Sequence, residues 1–204
     1  MFIVLEGIDG TGKTTQAKLL KEYFEEKGYQ VELVREPGGT PFAEQIRSLI
    51  LDPDNKPQSK NTLTFLFEAA RTEIVEGKIR PALEAGKIVI CDRFTESTLA
   101  YQFFKSDFNE TDLKILNIFA VNNVKPDIVI LFDADPEKIY ERRTGRIPDR
   151  FELEGLEFQK KLRKRYLSIK RESRIRHQTV NAEKSLDEVQ QNLRYILKRN
   201  FKIG

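Results

Sequence analysis

The sequence predicts an α/β fold: a five-stranded parallel sheet with helices on both faces, three layers in all. Two observations point to it. Short apolar stretches rich in β-forming residues alternate along the chain with longer segments whose apolar residues recur every three or four positions. The strands read as apolar throughout rather than on one side, the pattern of a parallel sheet buried on both faces. A chain of 204 residues can bury a full core without disulfide or metal staples, and no segment is biased enough to act as a linker. One domain over residues 1–204 is therefore expected.

The chain opens MFIVLEGIDGTGKTT. Phe2 to Leu5 is too short for a helix and is bounded by Gly7, so it reads as a buried strand. Gly7-Ile8-Asp9-Gly10-Thr11-Gly12-Lys13-Thr14 then has the spacing of a phosphate-binding loop. Glycines so placed let successive amide N–H groups converge on an anion. The helix that follows, Thr14 to Lys27 with Gly28 as its stop, adds unsatisfied donors and the positive end of its dipole. In such a loop Lys13 bridges the β- and γ-phosphates of a nucleoside triphosphate, and the Thr14 hydroxyl ligates Mg²⁺. The architecture expected is that of the P-loop nucleotide-binding proteins.

Tyr29 to Val34 is a second strand, running into the sharp turn Arg35-Glu36-Pro37-Gly38-Gly39-Thr40. Pro41 to Leu51 follows as a helix, with Thr40 as N-cap and proline at its first position, and Asp52 to Lys60 is a polar loop. Asn61 to Glu76 has one apolar face, with Phe67 and Arg71 four apart on one side, and Ile79 to Ala85 reads as a separate short helix closed by Gly86. Lys87 to Cys91 is the third strand and ends in Asp92-Arg93-Phe94, which places an acid and a guanidinium at the carboxyl edge of the sheet, where α/β folds bind ligands.

Glu96 to Phe104 and Thr111 to Asn122 read as helices, Asp127 to Phe132 as the fourth strand, and Pro136 to Arg143 as a further helix. Arg142, Arg143, Arg146 and Arg150 then crowd a segment punctuated by Gly145 and Pro148, which reads as a short lid over residues 142–152 that closes on phosphates. Leu156 to Arg174 is a long basic helix, Thr179 to Ala182 the last strand, and Leu186 to Arg199 a terminal helix capped by Ser185.

Composition narrows the function. With 35 basic residues against 32 acidic ones the net charge is only +3, so sequence-independent nucleic-acid binding is not indicated. No apolar run reaches 18 residues and the opening residues belong to a strand, so neither a membrane span nor a signal segment is expected and the location expected is cytoplasmic. The single cysteine, Cys91, reads as a small core residue. Asp9, Glu36 and Asp92 form an acidic rim around the loop that suits Mg²⁺ or sugar hydroxyls, while Phe67 and Tyr101 could each be a core aromatic.

Asp9 within the loop, Arg35-Glu36-Pro37-Gly38-Gly39-Thr40, Leu66-Phe67 with Ala70-Arg71, Asp92-Arg93-Phe94 with Ser97 and Ala100-Tyr101-Gln102, and Asp149-Arg150-Phe151-Glu152 together resemble the bacterial thymidylate kinases, in the same order over nearly the whole chain. The resemblance implies ATP with Mg²⁺ as donor and dTMP as acceptor. It implies Phe67 stacked on thymine, Arg71 at its O4 edge, Ser97, Thr98 and Gln102 around the rest of the base, and Tyr101 crowding the sugar's 2′ position. Asp9 would hold the 3′-hydroxyl, Arg93 and Arg47 the acceptor phosphate, and Glu36 a metal or water. ATP would rest on residues 7–14, with Arg142 over the adenine and Asn181 in the loop on its other side. Thr14 and Asp92 would serve the metal, and Arg146 and Arg150 would bring lid charge to the reaction. A homodimer is implied as well.

Three other readings stand beside this one. A nucleic-acid-binding protein using the basic helix Lys160 to Arg176 is disfavoured by the interleaved Glu157 and Glu172 and the near-neutral total, which suit a solvated helix. Another nucleotide or deoxynucleoside kinase would share the architecture. A GTP-dependent switch would need Asn-Lys-x-Asp and Asp-x-x-Gly at strand ends, which the sequence lacks.

Overall fold

The computed structural model describes residues 1–141 and 151–201. Strand β1 (Phe2–Glu6) leads into α1 (Lys13–Glu26), β2 (Val31–Arg35) and α2 (Pro41–Leu51). Next come α3 (Asn61–Ile74), a π-helical turn (Val75–Ile79) and α4 (Arg80–Glu84). Then follow β3 (Ile88–Asp92), α5 (Thr95–Lys105), α6 (Glu110–Val121), β4 (Ile128–Asp133) and α7 (Pro136–Glu141). A 3-10 turn (Glu152–Glu154), α8 (Gly155–Glu172), β5 (His177–Asn181) and α9 (Leu186–Asn200) complete the described chain.

The strands form one five-stranded sheet in the order β2-β3-β1-β4-β5, every pairing parallel. β1 therefore lies at the centre, and the chain leaves it first toward β2 and later toward β4 on the opposite side. That reversal opens a crevice at the carboxyl ends of the central strands, the place where such sheets take ligands. Register sets the functional residues side by side there: Leu5 pairs with Asp92, and Asp92 with Arg35.

Alternation of side chains splits the core. Ile3 and Leu5 of β1, Ile90 of β3 and Ile130 of β4 pack on Ala17, Leu20 and Phe24 of α1 and on Leu193 and Leu197 of α9. Phe2, Val4, Val89, Cys91 and Val129 pack on the opposite side against Ile74, Val75, Ile79 and Phe94. A third cluster, with Ile46 and Ile50 of α2, Ala70 of α3, Tyr101 of α5 and Tyr166 of α8, sits past the carboxyl edge and walls the crevice.

The structure differs from the expected elements in instructive places. α3 does not stop at Glu76 but runs through the wide turn into α4, so Ile79 to Ala85 is a continuation. The turn ends at Ile79, two residues before Pro81, and the Arg80 N–H reaches back to the Val75 carbonyl, so the wide turn lies where the chain takes in a proline that has no N–H to give. β2 and β5 are edge strands and only partly buried, unlike β1 and β3. That is why β5 begins earlier than the apolar pattern implies, taking in His177 and Gln178. α6 starts from a capping box, Asn109 with Asp112, one residue before the expected start.

Candidate active site

The loop after β1 comes so close to β4 that a Cβ on Gly7 would stand 2.5 Å from the Phe132 carbonyl oxygen, so only glycine fits. Gly12, at φ 83, turns the chain into α1, and no side chain caps that helix. Its first N–H groups are left for an anion. Lys13 folds back over the loop and donates through Nζ to the carbonyls of Gly7 (3.0 Å) and Ile8 (2.8 Å). Burial pushes its ammonium down to about 8, helped by Arg93 and opposed by Asp92, Asp9 and Glu6. The Thr11 hydroxyl ties the loop to the Ile8 carbonyl at 2.9 Å.

Thr14 donates its hydroxyl to Asp92, so a hydroxyl and a carboxylate meet beside the first turn of α1. Among the described residues no cluster of three His, Cys, Asp or Glu side chains could cage a metal unaided. The Thr14–Asp92 pair instead fits a small hard cation that keeps waters and takes its other ligands from substrate phosphates.

Asn181 ends β5 and is exposed. Its Oδ1 accepts from the Glu183 N–H (2.9 Å), and Glu183 in turn accepts from the Asp135 N–H (2.9 Å) and pairs with Lys138. The loops after β4 and β5 are thereby joined beside the phosphate loop. Arg142, Arg146 and Arg150 lie outside the described residues.

Next to the loop opens a cleft, walled by side chains and open to solvent at its mouth. Asp9, Glu36, Arg47, Phe67, Arg71, Arg93, Ser97, Thr98, Tyr101 and Gln102, every residue expected to touch an acceptor, lie on its wall. Pro37, Leu51 and Phe151 complete the lining. Phe67 and Tyr101 are not both ordinary core aromatics. Phe67 stays half-buried at the opening, its ring 5.8 Å from that of Phe151, whereas Tyr101 is buried and donates its hydroxyl to Asp9 Oδ2 at 2.7 Å.

Arg93 joins cleft and loop. It holds a left-handed backbone, φ 73, and its guanidinium pairs with Asp9 and donates to the Gly7 carbonyl at 3.0 Å. Neighbouring Asp9 and the two tyrosines hold it protonated against the cost of burial. Arg47 donates to the Pro37 carbonyl at 2.8 Å, and Gln102 accepts from the Thr64 hydroxyl at 3.1 Å.

Arg71 is 2% exposed, the floor of the cleft rather than a reaching side chain. Its Nε donates to Glu36 (2.7 Å) and its terminal nitrogens to Glu68 (2.9 Å), Thr98 (2.7 Å), Asn117 (2.7 Å) and the Phe94 carbonyl (3.0 Å). Burial pushes the Glu36 carboxyl up to about 7, opposed by Arg71, and its second oxygen has no hydrogen-bond partner. Two buried members of this wiring, Glu68 and Asn117, escaped sequence reasoning, as did Glu6, which is buried nearby beneath Phe94 and Ser97. Glu6 had a visible signal, a carboxylate closing an otherwise apolar strand; Glu68 had one too, three residues before Arg71 on the same helix. Asn117, from a distant helix, had none.

The comparisons with known proteins agree with this layout. A family model described as thymidylate kinase matches residues 5–193. A thymidylate kinase of Symbiobacterium thermophilum is 43% identical over 197 residues, covering 97% of this chain and 92% of the relative. One of Thermoanaerobacter sp. strain X514 is 38% identical over 198 residues, covering 97% of each. One of Geobacillus sp. strain WCH70 is 41% identical over 192 residues, covering 92% of this chain and 91% of the relative. With a phosphate loop, a walled cleft beside it and a match over nearly its whole length, the chain belongs to the thymidylate kinase family.

Proposed function

We propose that this chain is a thymidylate kinase whose cleft seats dTMP and whose loop, residues 7–14, seats ATP, the γ-phosphoryl group passing between them to give dTDP and ADP. The observation that carries the reading is that Asp9 and Arg93 belong to both halves: each lines the cleft and each is tied to the loop or its neighbours. An acceptor lying against Phe67 with its phosphate on Arg93 would have that phosphate directed at Lys13. The attacking atom is a phosphate oxygen that is already anionic, so no general base is called for. A bond forms from that oxygen to the γ-phosphorus while the bridge to the β-phosphate breaks, and the electrons stay with ADP.

What the protein must supply is charge and alignment. Lys13 leaves the Gly7 and Ile8 carbonyls for the β- and γ-phosphates, Arg93 and Arg47 take the acceptor phosphate, and Arg146 and Arg150 bring the lid's charge to the transferring group. Thr14 and Asp92 would hold Mg²⁺, which would supply positive charge against that of the phosphates. Phe67 would stack on thymine, Arg71, Ser97, Thr98 and Gln102 would surround its edges, and Glu36 would hold a water. Tyr101 would stand against the sugar's 2′ position, and Asp9 would take the 3′-hydroxyl. Arg142 and Asn181 would flank the adenine.

The chain works as one kinase domain in this reading, and in the cytoplasm, where nucleotide pools lie and the buried thiol of Cys91 stays reduced. Among the described residues no helix is long and apolar enough to cross a membrane. A homodimer would cover Ile115, Ile118 and Phe119, an exposed apolar stripe on α6 that is 45%, 64% and 75% accessible. Sedimentation of Phe119→Asp as a monomer, against a dimeric parent, would support that pairing.

Coupled assays of ADP release with dTMP, dUMP, dCMP, thymidine and AMP test the acceptor. Turnover should be fastest with dTMP and near background with thymidine, which lacks the phosphate for Arg93. A preference for thymidine, or a bound dTMP found away from Phe67 and Arg93, overturns the assignment.

A further inference from the structure

We propose that Glu6 is a positioning residue for phosphoryl transfer: acting through the hydroxyls of Ser97 and Tyr166, it fixes the place and the hydrogen-bonding partners of the Arg93 guanidinium. The inference rests on Arg93 gripping the acceptor phosphate, as read above.

Glu6 closes β1 and is wholly buried. Packing alone gives no reason for a carboxylate here, since every other residue of β1 is apolar. Its hydrogen bonds are all from neutral donors. Oε1 accepts the Phe94 N–H (2.8 Å) and the Ser97 N–H (3.1 Å), while Oε2 accepts the Ser97 hydroxyl (2.7 Å) and the Tyr166 hydroxyl (3.1 Å). Each hydroxyl has a single proton, and because the Arg93 guanidinium can only donate, those protons go to Glu6 or, across the 3.0 Å between the two oxygens, from one hydroxyl to the other. Their lone pairs are therefore turned toward Arg93, one terminal nitrogen of which lies 3.2 Å from each oxygen.

The same carboxyl also steadies the backbone. Arg93 sits at φ 73, a conformation disfavoured for residues with a Cβ. It is pinned on both sides by β1: its own N–H donates to the Leu5 carbonyl at 2.9 Å, and the next N–H, of Phe94, donates to Glu6. One buried group thus holds the turn that aims Arg93 and the two hydroxyls that back its guanidinium. With one terminal nitrogen satisfied from behind and the other paired with Asp9, the rest of the fork is left for the cleft.

Glu6→Gln is the sharp test because it changes almost no volume. The two N–H groups of Phe94 and Ser97 require an acceptor, so the amide oxygen stays on their side and the amide nitrogen faces the hydroxyls. It donates to them, so their protons turn away from position 6 and, since the contact between the two hydroxyls can take up only one, at least one proton faces Arg93, donor against donor. The expected result is a loss of about 10²-fold in kcat/KM for dTMP, shared between a raised KM and a lowered kcat, with the KM for ATP within about twofold of the parent. Tyr166→Phe, which removes one of the two hydroxyls without changing the ring, should cost about threefold in the same acceptor-selective way.

Combining the two should cost no more than Glu6→Gln alone, because the misdirected phenol is then gone. A Glu6→Gln enzyme with parental dTMP kinetics, one that loses ATP and dTMP affinity alike, or strict additivity in the double variant overturns the relay. If Glu6→Gln does not fold, Tyr166→Phe decides: an unchanged dTMP KM and kcat overturns the relay just as well. Arg93→Ala distinguishes this from failure of the underlying reading. Unchanged dTMP kinetics there would remove Arg93 from the acceptor site altogether, whereas a large loss there beside a neutral Glu6→Gln defeats only the relay.

Discussion

The donor loop and the acceptor cleft share a wall, yet they are built on opposite plans. The loop is contiguous, residues 7–14, and does its work with backbone amides and one lysine. The cleft draws on α2, α3, α5 and the end of β3, and its side chains hold one another: Arg71 alone binds Glu36, Glu68, Thr98, Asn117 and a backbone carbonyl. An amide cradle needs only a local chain conformation. A cleft floored with buried charge is a collective object, in which each group is tolerable only because its partners are present.

The comparison is broken most directly at Arg71. Arg71→Met keeps the length of the side chain but leaves the Glu36 and Glu68 carboxylates buried without their cation, which should cost about 3–5 kcal/mol of stability. The loss should depend on pH with a definite sign. Burial already holds Glu36 up at about 7, and removing Arg71 raises it further, whereas the unfolded chain releases that proton near 4.5. Between those values the unfolded state binds fewer protons, so stability falls as pH rises. Parent and variant share that fall up to about pH 7, because Glu36 is protonated in both folded proteins. Denaturant melts should therefore show a constant deficit from pH 4.5 to 7 and a growing one above pH 7, where only the parent's Glu36 ionises against Arg71. A deficit that does not grow above pH 7 would mean that the floor is held by packing and not by charge.

On the donor side the outcome is inverted. Lys13→Ala removes the cation that meets the transferring phosphate, and turnover should fall by about 10²–10³-fold. The melting temperature should hardly move, because Lys13 is partnered by loop carbonyls and its burial disfavours its charge. Activity lost with stability kept, against stability lost first at Arg71, is the contrast that the two plans predict. A Lys13→Ala enzyme that unfolds as readily as Arg71→Met would erase it.

The same contrast explains what could be read from the sequence. The loop was legible because its chemistry is a spacing: Gly7, Gly12 and Lys13 are fixed relative to each other by local geometry. The central strands were legible because burial on both faces leaves no polar residue before their last position, while edge strand β5, with His177 and Gln178, blurred its own start. The cleft lining came from the resemblance and from no spacing rule, since nothing local relates Arg47 to Gln102. The pattern could name Arg71 without showing that it is a floor. Nor could it bring Glu6 to Tyr166, 160 positions away, because that meeting is made by the order of strands and the return of α8 over the sheet.

The smallest expected effect is a proton. In the free protein burial holds the Lys13 ammonium at about 8, so near pH 8 it is half charged. The phosphates of ATP add negative charge beside it and drive it fully protonated, while ATP itself has no group titrating there. Binding of ATP at pH 8 should thus take up about half a proton, rising toward a whole one as Lys13 loses its charge at higher pH. Titration calorimetry in buffers of different ionisation heat reads this directly, and Lys13→Ala should take up none at pH 8. Binding of dTMP at pH 8 should take up less, because its phosphate, though directed toward Lys13, is met by Arg93, held protonated throughout by Asp9. Equal uptake for the two nucleotides, or uptake that survives in Lys13→Ala, would show that the titrating group is shared by both halves and that the division between them is drawn in the wrong place.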